Sequence, residues 1–206
     1  ALTAGPVLFA AESVPAVSLV AGTAPGRATQ HGLGRLEAAL RAQGWTVERA
    51  SSLEAARGER IILASRSAVS SAVPGGAEPP RVLEHPEALA VKKTSLRGQP
   101  ALVLAGADDR GLMYALLDTA ERVGWEKNAA DPFGNVRDVT EQPHIRDRSL
   151  SVYTMNRAHW ESRFYDERYW TRYFDTLAAS RFNRFLIVFG YENGGFHAPP
   201  YPYFFD

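Results

Sequence analysis

Asp166-Glu-Arg-Tyr-Trp-Thr-Arg-Tyr-Phe-Asp-Thr-Leu-Ala-Ala-Ser180, followed three residues later by Arg184-Phe-Leu-Ile-Val-Phe-Gly190, decides the fold class. In the first stretch Tyr169, Trp170, Tyr173, Phe174, Leu177 and Ala178 recur at helical period and form one apolar stripe. Asp166 is placed to accept from the first free N–H groups of this helix, and Asn183 to end it in a left-handed turn. The second stretch is too short and too uniformly apolar for a helix. It predicts a strand buried on both faces, as in a parallel sheet covered by helices. Leu150-Ser-Val-Tyr153 precedes both as a further strand, so the region reads β-α-β.

Upstream, strand and helix signals alternate as far as residue 130. Val14–Val20 reads as a strand, and the turn-rich Ala21–Gly26 leads into a helix that runs to Gln43. Leu33, Leu36 and Leu40 mark the apolar side of that helix, and Gly44 lies just past its end. Trp45–Glu48 and Arg60–Ser65 read as further strands, and Val73–Pro80 as a loop. Leu89–Thr94 and Pro100–Leu104 flank Arg97-Gly98 as a hairpin. The second of these strands runs through Gly106-Ala-Asp-Asp-Arg-Gly111 into a helix closed by Gly124, with Asp108 or Asp109 as its cap. A polar stretch, Asn128–Asn135 and then Glu141–His144, separates the halves. The fold expected is therefore α/β: a small, sandwich-like N-terminal domain over residues 1–143, then the first β-α-β unit of a truncated (β/α)8 barrel over 144–206.

Composition excludes several classes. Lys plus Arg and Asp plus Glu both number 23, so nothing electrostatic points to nucleic acid. The chain has no cysteine, which excludes disulfides and thiolate chemistry. No apolar run reaches the length of a membrane span. The start, Ala1-Leu-Thr-Ala-Gly5, without Met or a basic leader, reads either as a removed signal peptide, and so a secreted or periplasmic protein, or as an artificial boundary.

Motifs that carry chemistry are few. Gly22-x-x-x-Gly26 before a helix lacks the Lys and Ser/Thr of a P-loop and the spacing of a dinucleotide fingerprint, so it reads as a strand-to-helix turn. The five histidines show no helical metal-pair spacing, and there is no Gly-x-Ser-x-Gly elbow; neither a metal nor a cofactor is expected. The polar residues flanking the two late strands say more. Arg148, Tyr153, Asn156 and Arg157 surround the first, and Tyr191, Glu192 and Asn193 follow the second. In a (β/α)8 barrel, residues at the C-terminal ends of strands line the site, so this group is the expected substrate-binding set. The plainer alternative is that Arg148 and Glu192 pair with neighbours and support loops. The stripe of the Asp166 helix reads as core, while Trp160, Tyr201 and Tyr203 are better placed to stack on sugar rings.

These features together resemble glycoside hydrolases of the family 20 and family 67 type. Gly106–Leu117 looks like the last strand and helix of their small domain. Gln142-Pro-His-Ile-Arg-Asp-Arg-Ser-Leu150 looks like the approach to barrel strand 1, and Phe185–Glu192 like barrel strand 2. The resemblance implies that Arg148 matches an arginine which holds sugar hydroxyls. Ser149 replaces the usual Gly, Tyr153 stands near the strand-1 Asp, and the His-containing strand-2 pattern is missing, which implies a divergent relative acting on another glycoside. A full barrel needs about 250 residues, so the expectation is an N-terminal fragment of a hexosaminidase- or glucuronidase-like enzyme, inactive by itself and without the catalytic carboxylates. Two alternatives remain: a non-catalytic carbohydrate-binding or assembly module, and a small complete α/β enzyme with its site at 148–193. The partner expected is carbohydrate, with self-association through residues 149–206 because exposed strand edges invite pairing.

Overall fold

A computed structural model describes residues 15–22, 24–66, 84–154 and 157–188. The Arg97-Gly98 turn sets the register of the larger sheet. Both residues have positive φ, 53° and 77°, as a two-residue type I′ turn requires, and its twist matches that of the strands it joins. It connects β4 (Leu89–Leu96) to β5 (Gln99–Gly106), antiparallel, with Leu96 opposite Gln99 and Leu89 opposite Gly106.

β1 (Ala16–Ala21), β2 (Thr46–Ala50), β3 (Arg60–Arg66) and β6 (Val139–Glu141) complete six strands in the order β2-β1-β3-β5-β4-β6. β1, β2, β3 and β5 are parallel, and β4 is antiparallel to both of its neighbours. The strand order changes direction after β2, which places a switch point between β1 and β3.

Strand alternation then builds two cores. Leu19, Ile62 and Leu102 lie in one row and Ala21, Ala64 and Leu104 in the next. This face meets α1 (Arg27–Ala42) and α2 (Asp109–Gly124), whose Leu33, Leu36, Leu40, Leu112, Leu116 and Val123 are buried. Gly32 allows the two helices to approach closely: a Cβ there would stand 2.9 Å from that of Leu116. On the other face Val20, Ile61, Leu96 and Ala101 cluster with Ala56, with Leu53 packed beside them. Both faces are covered, which is why the central strands are almost uniformly apolar.

The polar stretch expected to separate the halves is instead part of this layer. Phe133 and Val136 are buried, the Trp45 indole N–H donates to the Ala129 carbonyl at 3.0 Å, and the Arg60 guanidinium sits over the Trp45 ring at 5.6 Å. β6 then adds to the edge of the sheet, a three-residue strand the sequence did not announce. The chain divides into two compact units, residues 1–142 and 143–206.

In the second unit β7 (Ser149–Tyr153) and β8 (Arg184–Val188) pair in parallel, with α3 (Arg157–Trp160) and α4 (Glu167–Ala179) between them. Asp166 caps α4, accepting from Arg168 N at 2.9 Å. The left-handed residue after the helix is Arg181 (φ 62°), not Asn183. Asn183 acts through its side chain, which accepts from Arg148 N at 2.9 Å and donates to the Arg146 carbonyl at 2.7 Å. Trp170, Tyr173 and Phe174 of α4 pack on Phe185 of β8 with ring centres 5.2 to 5.9 Å apart. β8 was expected to be buried on both faces. Leu186, on the face away from Phe185, is 52% exposed, so within the described residues only the face under α4 is covered. The fold is α/β, and in the second unit the described residues form a single β-α-β step rather than a barrel.

Candidate functional site

Tyr153 ends β7 on the same face as Leu186 and Val188. Its side chain is 60% exposed, while its carbonyl accepts the Trp160 indole N–H at 3.0 Å. The next residue, Thr154, is buried and its N–H donates to Val188 O at 3.0 Å. That bond holds the ends of β7 and β8 level, so the segments that leave the two strands start from one edge. Arg157 opens α3 close to that edge. Asn156, Tyr191, Glu192 and Asn193 lie outside the described residues.

Arg148 is at the opposite end. It precedes β7, about 16 Å along the strand from Tyr153 at the usual rise per residue. Its Nε donates to the Arg181 carbonyl at 2.6 Å and its NH1 to the Ile145 carbonyl at 2.8 Å. Its own carbonyl accepts from Asn183 N and Arg184 N. The structure therefore separates Arg148 from Tyr153, and the observed geometry of Arg148 braces the α4–β8 turn. Trp160 is corrected as well. It is 7% exposed and stacked on Trp170, with centres 5.9 Å apart and planes 7° from parallel, so it offers no free ring face to a sugar. Tyr201 and Tyr203 lie outside the described residues.

A second concave region is in the first unit, where sequence reading found only turns. A cavity of about 530 Å³ opens at the C-terminal ends of β1 and β3 and just after β5. Ala21, Gly22, Ala24, Ala64 and Ala107 form much of its wall, and Ser65, Arg66, Thr29 and Asp108 supply its polar groups. The two glycine-bearing turns border it, and their aspartates explain them. Asp108 caps α2, accepting from Gly111 N at 2.8 Å and Glu87 N at 3.0 Å. Asp109 reaches across to α1, accepting from Ala28 N at 3.0 Å and the Thr29 hydroxyl at 2.6 Å. α1 has no capping side chain of its own at Gly26, and a Cβ there would collide with the Asp109 carboxylate. Burial pushes the Asp109 carboxyl up. The Thr29 hydroxyl, the Ala28 and Thr29 N–H groups and the Arg66 charge outweigh burial and hold it below the ordinary value.

Among the described residues no cluster of three or more His, Asp or Glu is arranged to hold a metal ion. No helix among them is long and apolar enough to cross a membrane.

No protein-family model matches the sequence, and no curated protein matches it. A solved structure does: a GH138 enzyme targeting pectin rhamnogalacturonan II, 16% identical, covering 83% of this chain with a TM-score of 0.58. The chain spans 18% of that enzyme's length. At this identity the likeness is one of fold, so the chain shares an α/β fold with a glycoside hydrolase. The neighbour is a GH138 enzyme, not a member of family 20 or 67.

Proposed function

We propose that this chain is the N-terminal region of a carbohydrate-active hydrolase, an α/β domain followed by the opening β-α-β step of a (β/α)8 catalytic barrel. The observation that carries this reading is the reach of the fold likeness. It covers 83% of the chain, more than residues 1–142 alone can supply, so it extends into the second unit as well as the first. Barrel enzymes build their sites at the C-terminal ends of strands. Tyr153, with Asn156 and Arg157 after it, and Tyr191, Glu192 and Asn193 beyond β8, are the residues we assign to the wall of a sugar site. The chemistry is glycoside hydrolysis, with a carboxyl group as general acid. The setting is secreted or periplasmic. By itself the 206-residue chain is inactive. Incubated with a panel of aryl glycosides it is expected to release no aryl alcohol, and hydrolysis that survives repurification would sink this reading. A second reading, an assembly module, is favoured by one feature: Tyr153 and Leu186 stand exposed on the same sheet face.

A further inference from the structure

The cavity of the first unit takes no part in the barrel reading and has the attributes of a binding site in its own right. In open α/β sheets, ligands bind outside the carboxyl ends of strands, where the strand order reverses. Here that point lies between β1 and β3, and Ala21 and Ala64, neighbours at the ends of those strands, both line the cavity. Its volume of about 530 Å³ falls within the range of small-molecule sites. The space is made by small side chains. Gly22 adds to it: nothing lies within 4 Å of a Cβ built there.

The polar groups narrow the ligand. Helix N-termini ordinarily draw anions, and two of them border this cavity. Both are already closed by carboxylates of the chain, Asp108 on α2 and Asp109 on α1. Among the described residues, an incoming anion would meet the Asp108 carboxylate in the lining and the Asp109 carboxylate close by, against Arg66 as the lining cation. Arg66 is exposed, its charge acts on the Asp109 carboxylate, and its guanidinium N–H groups can donate to a ligand. The Ser65 hydroxyl donates to the Arg66 carbonyl at 3.3 Å and keeps its oxygen available as an acceptor. The carboxylate oxygens of Asp108 each retain a second lone pair. Donors and acceptors are thus balanced and stand among small alanine and glycine residues that leave room for a ligand. We infer that this cavity binds an uncharged, hydroxyl-rich small molecule about the size of one sugar ring.

The test is an amide NMR titration of the whole chain at neutral pH with D-galactose, D-xylose, D-galacturonate and inorganic phosphate, each raised to about 50 mM to reach a millimolar Kd. Saturable shifts are expected at Gly22, Ser65, Arg66 and Ala107 with at least one neutral sugar. Galacturonate, which differs from galactose by a carboxylate at C6, should bind several-fold more weakly than galactose, and phosphate should leave these amides unmoved. Gly22→Trp, which fills the open space, should abolish the shifts. Arg66→Ala, at an exposed position that leaves the fold intact, should weaken binding about ten-fold through loss of a charged donor. Absence of saturable shifts with both neutral sugars overturns the proposal. Tighter binding of galacturonate or phosphate than of galactose overturns it too, by showing an anion site. Sugar shifts unchanged in both variants would place the binding elsewhere and have the same consequence. None of these outcomes bears on glycosidase activity, so this inference and the hydrolase reading stand or fall separately.

Discussion

Helices α2 and α4 carry the same sequence signals. Each has an Asp cap and an apolar stripe at helical spacing, yet α2 buries ten of its sixteen residues and α4 none of its thirteen. The stripe records that a helix has a covered face. It does not record how completely the neighbours cover it. α2 lies against β3, β4, β5 and α1, whereas the rings of α4 meet one another, Phe185, and Trp160 and Phe164 of the segment before it. The two units are therefore built on one grammar and differ in how much burial stabilises each.

The sharpest way to break that contrast is a pair of truncations. Leu116→Ala removes a side chain that is 0% exposed and faces Gly32, and should cost about 3 kcal/mol. Phe174→Ala, at a position 45% exposed, should cost about 1 kcal/mol despite the larger side chain removed. Urea unfolding of both variants gives the two values. Equal losses would mean that α4 is as well packed as α2.

A smaller effect is expected from Asp109→Asn, about 1 kcal/mol at neutral pH for a weakened cap. Its pH dependence sharpens the comparison further. The folded-state pKa of Asp109 lies below that of the unfolded chain. Its contribution is therefore fully present above the unfolded value of about 3.9, and is lost as pH falls through the depressed folded value. The gap in stability between the native chain and Asp109→Asn should narrow over that acid window. A gap that stays constant from pH 6 to about pH 2 would show that the carboxylate charge is not what closes α1.

The smallest effect on stability belongs to Leu186→Glu, within about 0.5 kcal/mol because the side chain is already half in water. If the exposed β7–β8 face mediates self-association, this charge should abolish it. Light scattering across a concentration series decides the point: an unchanged oligomer would exclude that face.

Most of the architecture was legible because it rests on local signals. The hairpin at Arg97-Gly98, the helices opened by Asp108 and Asp166, and the β-α-β order of the second unit all follow from spacing and turn chemistry. What escaped depends on partners distant in sequence. Asp109 lies beside a good cap and gives no sign that it serves a helix 81 residues earlier. Trp160 sits in a polar stretch that suggests a loop, yet the stacking of Trp170 buries it. Asn128–Asn135 has the composition of a linker and is pinned by Trp45 and Arg60. Of the expected site, Arg148 precedes β7 and Tyr153 ends it, as the strand pattern indicates, but grouping both in one site overlooked that opposite ends of a strand serve different roles. The cavity was invisible for a related reason, since alanine and glycine at strand ends leave no motif.

The carboxylate shared across α1 and α2 also has a history in time. Synthesis proceeds from the N-terminus at roughly 5 to 20 residues per second, so α1 is complete roughly 3 to 13 s before residue 109 is added. Throughout that interval its first turn carries no side-chain cap, and the face that will meet α2 has nothing to lie on. The nascent chain therefore passes through a stage in which its earliest helix is open at one end and sticky along one side. The Asp108–Asp109 turn supplies the missing cap of α1 and, as the chain continues, the cap of α2 as well.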